Sequence, residues 1–225
     1  MADITILPGG ASHRWNPRRY RRRVRECMAQ IFGTETGRAV RAELTRRLTI
    51  VPYTGSTLNA LTLPLNARDS GPEGRMILYC GGPLVGFPMA DSRGQPFRST
   101  GRGSDVLIAF TPWRTPGPLP DADLLHEFVH AARMMAGLSR CEAQGDHFDT
   151  AEEVHAIAVT NLYRAERGIP GVRRDHHTTE TTTAGAFNRT AWARVLQLCR
   201  QMPRLTGRLA RVETRSGFNP FLDAI

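Results

Sequence analysis

The most informative part of this sequence is a mostly apolar run, Leu124-Leu125-His126-Glu127-Phe128-Val129-His130-Ala131-Ala132. Its pattern predicts an α-helix in which His126 and His130, four positions apart, lie one above the other. Two imidazoles at this spacing can bind one zinc ion, and Glu127 beside them can take a proton from water as a general base. The run matches H-E-x-x-H, the signature of zinc-dependent peptidases.

The residues around this motif predict a buried helix. Pro120 precedes two candidate N-caps, Asp121 and Asp123, and Gly137 suits the C-terminal end of the helix. A helix that is apolar nearly all round is expected inside the protein, where two histidines and a glutamate are costly to bury without partners. A metal ion would supply that partner. The alternative is a core helix with two hydrogen-bonded histidines and a surface glutamate.

A catalytic zinc site needs a third protein ligand besides the two histidines. The metzincin extension would require Gly at position 133 and His at 136, where this chain has Arg133 and Ala136. A second helix is predicted from about 150 to Arg167, and Gly168 follows it. A glutamate on such a helix, soon after the first motif, resembles the ligand of the Glu-type zincins typified by thermolysin.

Two adjacent glutamates compete for the role of third ligand. Glu153 lies closer than Glu152 to the apolar face of the second helix, and Ala156 gives it the small residue that several Glu-zincins place three positions later. We therefore favour Glu153. A capping box, of Thr150 with Glu153 or of Asp149 with Glu152, is an equally good fit to the pattern. Weaker ligand candidates, including those of an aspartate-type zincin, are Asp146, His147, Asp149 and His155.

Three segments together resemble a known family. They are the H-E-x-x-H run, the helix from Glu152 to Tyr163, and Arg173-Arg174-Asp175-His176-His177. The chain is similar there, over roughly 121–177, to the NleD-type effector metallopeptidases and to related toxin domains of bacterial secretion systems. The resemblance implies a zincin-like fold and a zinc-dependent endopeptidase, with His126 and His130 as ligands and Glu127 as the base.

Peptide hydrolysis also needs a donor for the oxyanion that develops on the carbonyl. Zincins usually supply a Tyr or a His from further along the chain, which here leaves Tyr163, His176 and His177. We favour His176, which Asp175 can orient, although a solvated polar loop explains the same stretch. Tyr163 lies opposite the apolar stripe of its helix, which favours a structural or surface position.

The remaining pattern predicts an α+β fold with a small mixed sheet. Helices are expected at 17–32, 36–47 and 190–200, and strands at 48–53, 60–63, 75–80 and 105–110. We expect 105–110 to be the edge strand beside the active helix, where an extended substrate can pair with it. The chain is interpreted as one domain, 1–225, with an Arg-rich helical region (1–35), a catalytic core (105–177) and a C-terminal extension (178–225) that opens with a mobile Thr-rich segment (178–187).

The basic residues of the chain are all of one type. The 225 residues carry a net charge of +9, and all 30 basic residues are arginines. The densest cluster lies at 14–25, which we interpret as the solvated face of the first helix. Its rival interpretation is a module that binds phosphates of nucleic acid or acidic lipid. No zinc-finger, RRM or helix-turn-helix signature is present, so no specific nucleic acid is expected.

The sequence also bounds the cell compartment and the partners. No signal peptide or membrane span is recognisable, and the cysteines Cys27, Cys80, Cys141 and Cys199 have the spacing of free thiols. We expect a protein made in the cytoplasm and delivered into a target cell by a signal-peptide-independent system. Its expected partners are a protein substrate of a host or rival cell and an immunity protein or secretion chaperone. A zinc hydrolase of a cell-wall amide is the alternative enzyme.

Overall fold

The structure is a computed structural model that describes residues 3–9, 16–54, 60–75, 98–113, 119–140, 150–173, 179–180 and 189–222. These residues form an α+β arrangement with a small mixed sheet, as predicted. The helices are α1 (Pro17–Phe32), α2 (Glu35–Glu43), α3 (Ala67–Ser70), α4 (Pro120–Met135), α5 (Ala151–Glu166), α6 (Arg189–Gln201) and α7 (Pro203–Leu209). The strands are β1 (Ile4–Ile6), β2 (Leu48–Pro52), β3 (Ala60–Pro64), β4 (Val106–Phe110), β5 (Val172–Arg173) and β6 (Thr179–Glu180).

The main sheet has the strand order β1-β2-β4-β3, and β5 and β6 form a separate antiparallel pair. β1, β2 and β4 are parallel, whereas β3 runs antiparallel to β4. The prediction that 105–110 is the edge strand is therefore wrong, because β4 lies between β2 and β3. All five residues of β4 are apolar, as in a central strand, whereas Pro64 ends β3 without an N–H to donate.

β1 has no counterpart among the expected strands, and two expected segments lie almost entirely outside the described residues. The three residues of β1 were missed, since so short a run has no readable periodicity and its pairing with β2 depends on tertiary contacts. The strand predicted at 75–80 lies outside the described residues except for Arg75. The same holds for the Thr-rich segment, of which only 179–180 is described.

The sequence predicts the bounds of α1 correctly but not the end of α2. α1 has the predicted bounds, because Asn16 caps it and Tyr20, Val24 and Cys27 follow the helical period into the core. α2 ends at Glu43, four residues before its predicted end. Its C-cap Leu44 turns to an extended conformation and buries its side chain completely.

α4 occupies the centre of the molecule. It contacts β3 and β4 on the sheet and also α1, α2 and α5. All of its residues except Pro120 and Asp123 are buried, as its apolar pattern predicts. Within the described ranges, no helix is both long enough and apolar enough to cross a membrane.

The predicted capping of α4 is confirmed at one end only. Gly137 follows the helix with φ +69°, a conformation that favours glycine. At the other end the N-cap is Leu119, which makes no side-chain hydrogen bond, so the prediction of an Asp121 or Asp123 cap is wrong. The Asp121 carboxylate is buried and accepts hydrogen bonds from Tyr163 of α5 and from Arg167, the C-cap of that helix.

We predict that Gly37→Ala destabilises the protein strongly. A Cβ at this position in α2 would lie 1.9 Å from the backbone oxygen of Ile31, so α1 and α2 would have to move apart. The expected loss in the free energy of unfolding is about 2 kcal/mol or more, measured by urea denaturation. The matched control is Gly207→Ala in α7, where a Cβ meets nothing within 4 Å and should stabilise the helix by about 0.5–1 kcal/mol. Equal stability of the two variants would contradict the close approach of α1 and α2.

Candidate metal centre

The predicted pair of histidines lies on one face of α4, one helical turn apart. His126 and His130 are 4% and 8% exposed, so both rings are shielded from bulk water. The rings meet edge to face with centroids 4.7 Å apart. Their Nε2 atoms are 3.0 Å apart, so both nitrogens are directed toward the same point.

Glu153 of α5 brings its carboxylate to the same point. One oxygen, Oε2, lies 3.0 Å from Nε2 of His126, and the other, Oε1, lies 3.4 Å from Nε2 of His130. The three side chains offer donor atoms that all lie within 4.8 Å of one another. The structure thus brings together the three residues that the sequence favoured as ligands.

Glu152, the competing ligand candidate, faces another partner. Its buried carboxylate accepts hydrogen bonds from Arg133, at 2.6 Å from Nε and 2.9 Å from Nη2. It also accepts one from the backbone N–H of Arg140 at 2.7 Å. Successive helical residues point about 100° apart, so Glu152 and Glu153 cannot both face the histidines. Glu152 is therefore an anchor for α5.

Arg133 has a structural role that the motif patterns do not indicate. In the sequence it only argues against the metzincin pattern, but in the structure its side chain is fully buried. Besides Glu152, its Nη2 donates to the Leu138 carbonyl at 2.9 Å and to Gln201 Oε1 at 3.0 Å. The available signal was an arginine in the middle of an apolar helix, since a buried arginine requires an anionic partner.

The start of α5 combines a cap with the approach of Glu153 to the histidines. The Thr150 hydroxyl accepts a hydrogen bond from the backbone N–H of Glu153 at 3.4 Å, which is the threonine half of the predicted capping box. The Glu153 carboxylate meanwhile extends toward His126 and His130. The cap thus fixes the backbone at the residue that carries the third donor.

Glu127 lies between the two histidines in sequence and contacts the sheet. The Thr62 hydroxyl of β3 donates a hydrogen bond to Oε2 of Glu127 at 2.6 Å. Glu127 is only 9% exposed, so the alternative of a surface glutamate is wrong. The sequence analysis missed Thr62, although it is a polar residue in the centre of the buried row of β3.

Electrostatics set the charges of the three donors. Burial lowers the pKa of His126 to about 3, so its ring is neutral at pH 7. Burial also disfavours protonation of His130, but the nearby Glu153 carboxylate raises its pKa to about 9. The pKa of Glu153 is held well below its usual range by His130 and His126, despite its burial. A cation among these groups would take the place of the His130 proton.

Two further candidates are described and lie in other contacts. His155 is fully buried, with Nε2 3.0 Å from the Arg194 carbonyl oxygen, and burial together with Arg133 lowers its pKa well below the usual range. Tyr163 is also fully buried and donates its hydroxyl proton to Asp121, so it is structural and the surface alternative is wrong. The candidates that lie outside the described residues are Cys141, Asp146, His147, Asp149, Asp175, His176 and His177.

The donor set fits a zinc ion. Two donors bonded to zinc at about 2.0–2.1 Å and a tetrahedral angle lie about 3.3 Å apart. In the structure the two Nε2 atoms are 3.0 Å apart, Nε2 of His126 is 3.0 Å from Oε2 of Glu153, and Nε2 of His130 is 3.4 Å from the other oxygen, Oε1. Two imidazoles and one carboxylate are also a donor set found in catalytic zinc sites. These side chains could therefore hold a metal ion, and zinc as the cofactor stays a prediction.

Comparison of the chain with protein-family models, with curated proteins and with solved structures gives no match. The resemblance to the NleD-type metallopeptidases therefore stays a prediction that depends on the motifs themselves.

The arginine face of α1 is exposed, as predicted for a solvated surface. Arg18, Arg21, Arg22 and Arg25 line a shallow open hollow on this helix. Glu26, beside them, pairs with Arg23 at 3.0 Å. Exposed charges of this kind are compatible with the solvated face, and binding of a polyanion here stays a prediction.

We predict that Glu152→Gln destabilises the protein by about 3–5 kcal/mol, because it leaves the buried Arg133 charge without a counter-charge. The combined change Arg133→Met with Glu152→Leu should restore much of that loss, since it removes both charges. The measurement is urea unfolding with a chelator present, so that metal binding makes no contribution. The exposed Glu213→Gln is the matched control and should leave the free energy of unfolding within about 0.5 kcal/mol of the wild type. A Glu152→Gln variant as stable as this control would show that the ion pair does not anchor α5.

Proposed function

We propose that this protein is a zinc-dependent endopeptidase of the zincin type, with His126, His130 and Glu153 as the zinc ligands. One observation carries the proposal. One donor atom from each of three side chains on two facing helices lies within 4.8 Å of the other two, and the Glu127 carboxylate is carried by the same turn of α4. A core helix alone would not require this convergence, because apolar residues fill the same space at lower cost.

The chemistry follows from the residue types. A bound zinc ion supplies a Lewis acid that lowers the pKa of water to about 7 and polarises the scissile carbonyl. Glu127 accepts a proton from the attacking water as the new C–O bond forms. It then delivers that proton to the amine nitrogen as the C–N bond breaks. His176 is our candidate for stabilising the oxyanion.

β3 is the element best placed to receive a polypeptide substrate. It replaces β4 in that role, because it is the last strand of the main sheet on this side among the described residues. It also packs directly against α4 through Thr62 and Glu127. An extended peptide that pairs with β3 would lie along the active helix, with main-chain hydrogen bonds giving affinity and side-chain pockets giving specificity.

The biological setting is part of the same proposal. The resemblance described above supports a secreted bacterial effector or toxin whose substrate is a protein of a host or rival cell. An immunity protein or a secretion chaperone would be its partner in the producing cell. The same hydrolytic chemistry acts on other amides, so a cell-wall peptide belongs in any panel of test substrates.

We predict that the wild type binds one zinc ion per chain and that His126→Ala and Glu153→Ala abolish binding. Glu127→Gln should retain zinc and lower peptide cleavage by about 100-fold or more, because the amide cannot accept the proton. His155→Gln is the matched control, a buried histidine on the same helix as Glu153 that should retain zinc. The measurements are elemental analysis after zinc loading and cleavage of a quenched peptide library and a cell-wall peptide.

A folded wild type that takes up no zinc would end this proposal. Cleavage by Glu127→Gln at the wild-type rate would remove the mechanism while leaving the metal site intact. In either case, binding of a polyanion that depends steeply on salt and survives Glu127→Ala would favour the arginine face of α1 as the functional element.

A further inference from the structure

A polar residue occupies the centre of an apolar row on β3. The strand reads Ala60-Leu61-Thr62-Leu63-Pro64, and its alternation turns residues 60, 62 and 64 toward the core. Thr62 is 7% exposed. Valine has almost the same shape and would fill this space without a polar atom, so the buried hydroxyl has a cost that only a hydrogen bond offsets. The buried hydroxyl of Thr62 is therefore expected to make a hydrogen bond.

The partner of this hydroxyl is the carboxylate of Glu127. Oγ1 of Thr62 lies 2.6 Å from Oε2 of Glu127 and 3.3 Å from the backbone oxygen of the same residue. The hydroxyl has one proton, and the distances favour the closer acceptor, Oε2. The backbone oxygen of Glu127 lies inside α4, where carbonyl oxygens accept hydrogen bonds from N–H groups of the same helix. The hydrogen bond is therefore directed at the side chain of Glu127.

The two sides of this contact differ in stiffness. Thr62 is β-branched, which restricts its side-chain rotation, and its backbone is paired with β4 opposite Ile108. Glu127 has three rotatable side-chain bonds, so its carboxylate needs an external contact to hold one orientation. The sheet supplies one such contact through the hydroxyl of Thr62.

We propose that Thr62 is a positioning residue that holds the Glu127 carboxylate in the orientation required for proton transfer. This inference rests on the proposed role of Glu127 as the general base. It also links two functions of β3. The strand that would pair with the substrate backbone carries the residue that orients the base, so the base and the scissile bond take their positions from one rigid element.

The first test compares Thr62→Val, which removes the hydroxyl at nearly constant shape, with Thr62→Ser, which retains it. Both variants should bind one zinc ion per chain, because Thr62 is not a ligand. With the best-cleaved peptide of a quenched library, Thr62→Val should lower kcat by about 10- to 100-fold and leave KM within about twofold. Thr62→Ser should recover kcat to within about threefold of the wild type.

The second test needs no activity and uses the zinc-free protein in chelator. Thr62→Val should lower the urea midpoint of unfolding in the wild-type background, because the buried carboxylate loses the hydrogen bond from the Thr62 hydroxyl. The same change in a Glu127→Ala background should leave the midpoint unchanged or raise it, because the hydroxyl there has lost the carboxylate. A difference between the two backgrounds measures the coupling of the two side chains directly.

Wild-type kcat in Thr62→Val, or failure of Thr62→Ser to recover a lost kcat, would overturn the proposal in favour of simple packing. Loss of zinc in Thr62→Val would overturn it as well, by showing a general disturbance of the site. If the wild type binds no zinc or cleaves no peptide, the proposed function fails, and the unfolding experiment still decides whether Thr62 holds the Glu127 carboxylate. Equal midpoint changes in the two backgrounds would then reject it.

Discussion

The buried ion pair between Arg133 and Glu152 fixes the two helices that carry the site. It joins α4 to α5 through two hydrogen bonds, and neither side chain is more than 1% exposed. Charges so deeply buried are tolerated only together, so the helices have one favourable rotation about their axes. With Glu152 directed at Arg133, the next residue on α5 must face the neighbouring turn of α4. His130 lies about one turn before Arg133 on α4 and His126 one turn before His130, so the ion pair helps to direct Glu153 toward the histidines.

The pairing of buried polar groups determines the rotation of α4 about its axis, because apolar packing alone would not select one rotation. The helix is buried on nearly every side, so rotating it would expose few apolar groups and meet little resistance from the hydrophobic effect. Its polar groups remove that freedom. Glu127 contacts Thr62 of the sheet, and Arg133 pairs with Glu152. Asp121 accepts hydrogen bonds from Tyr163 of α5 and from its C-cap Arg167. Each wrong rotation would leave at least one buried charge without its partner.

The sequence was sufficient where the deciding interactions are local. Helical spacing placed His126 above His130. The pattern of α5 favoured Glu153 over Glu152 but put Glu152 farther from the core, whereas the structure buries Glu152 against Arg133. The sequence was insufficient where a distant contact outweighs a local preference. Asp121 has the chemistry of a helix cap but is drawn into α5 by Tyr163 and Arg167. The partner of Thr62 and the place of β3 among the described strands depend on which strands become neighbours, and the residues of one strand do not encode that choice. The strand order β1-β2-β4-β3 is therefore visible only in the three-dimensional structure.

The contacts that assemble the candidate site are independent of a metal ion. Thr150 caps α5, Arg133 and Glu152 join α5 to α4, and Thr62 joins α4 to the sheet. Each of these contacts uses only atoms of the chain. Small zinc-binding domains differ in this respect, because their folding free energy comes largely from the metal. A chain with a large apolar core can instead hold two neutral or singly protonated imidazoles and a carboxylate in place before binding. Under the proposed function, such a site would require little reorganisation when a cation binds, and the hydroxyl of Thr62 would hold the Glu127 carboxylate.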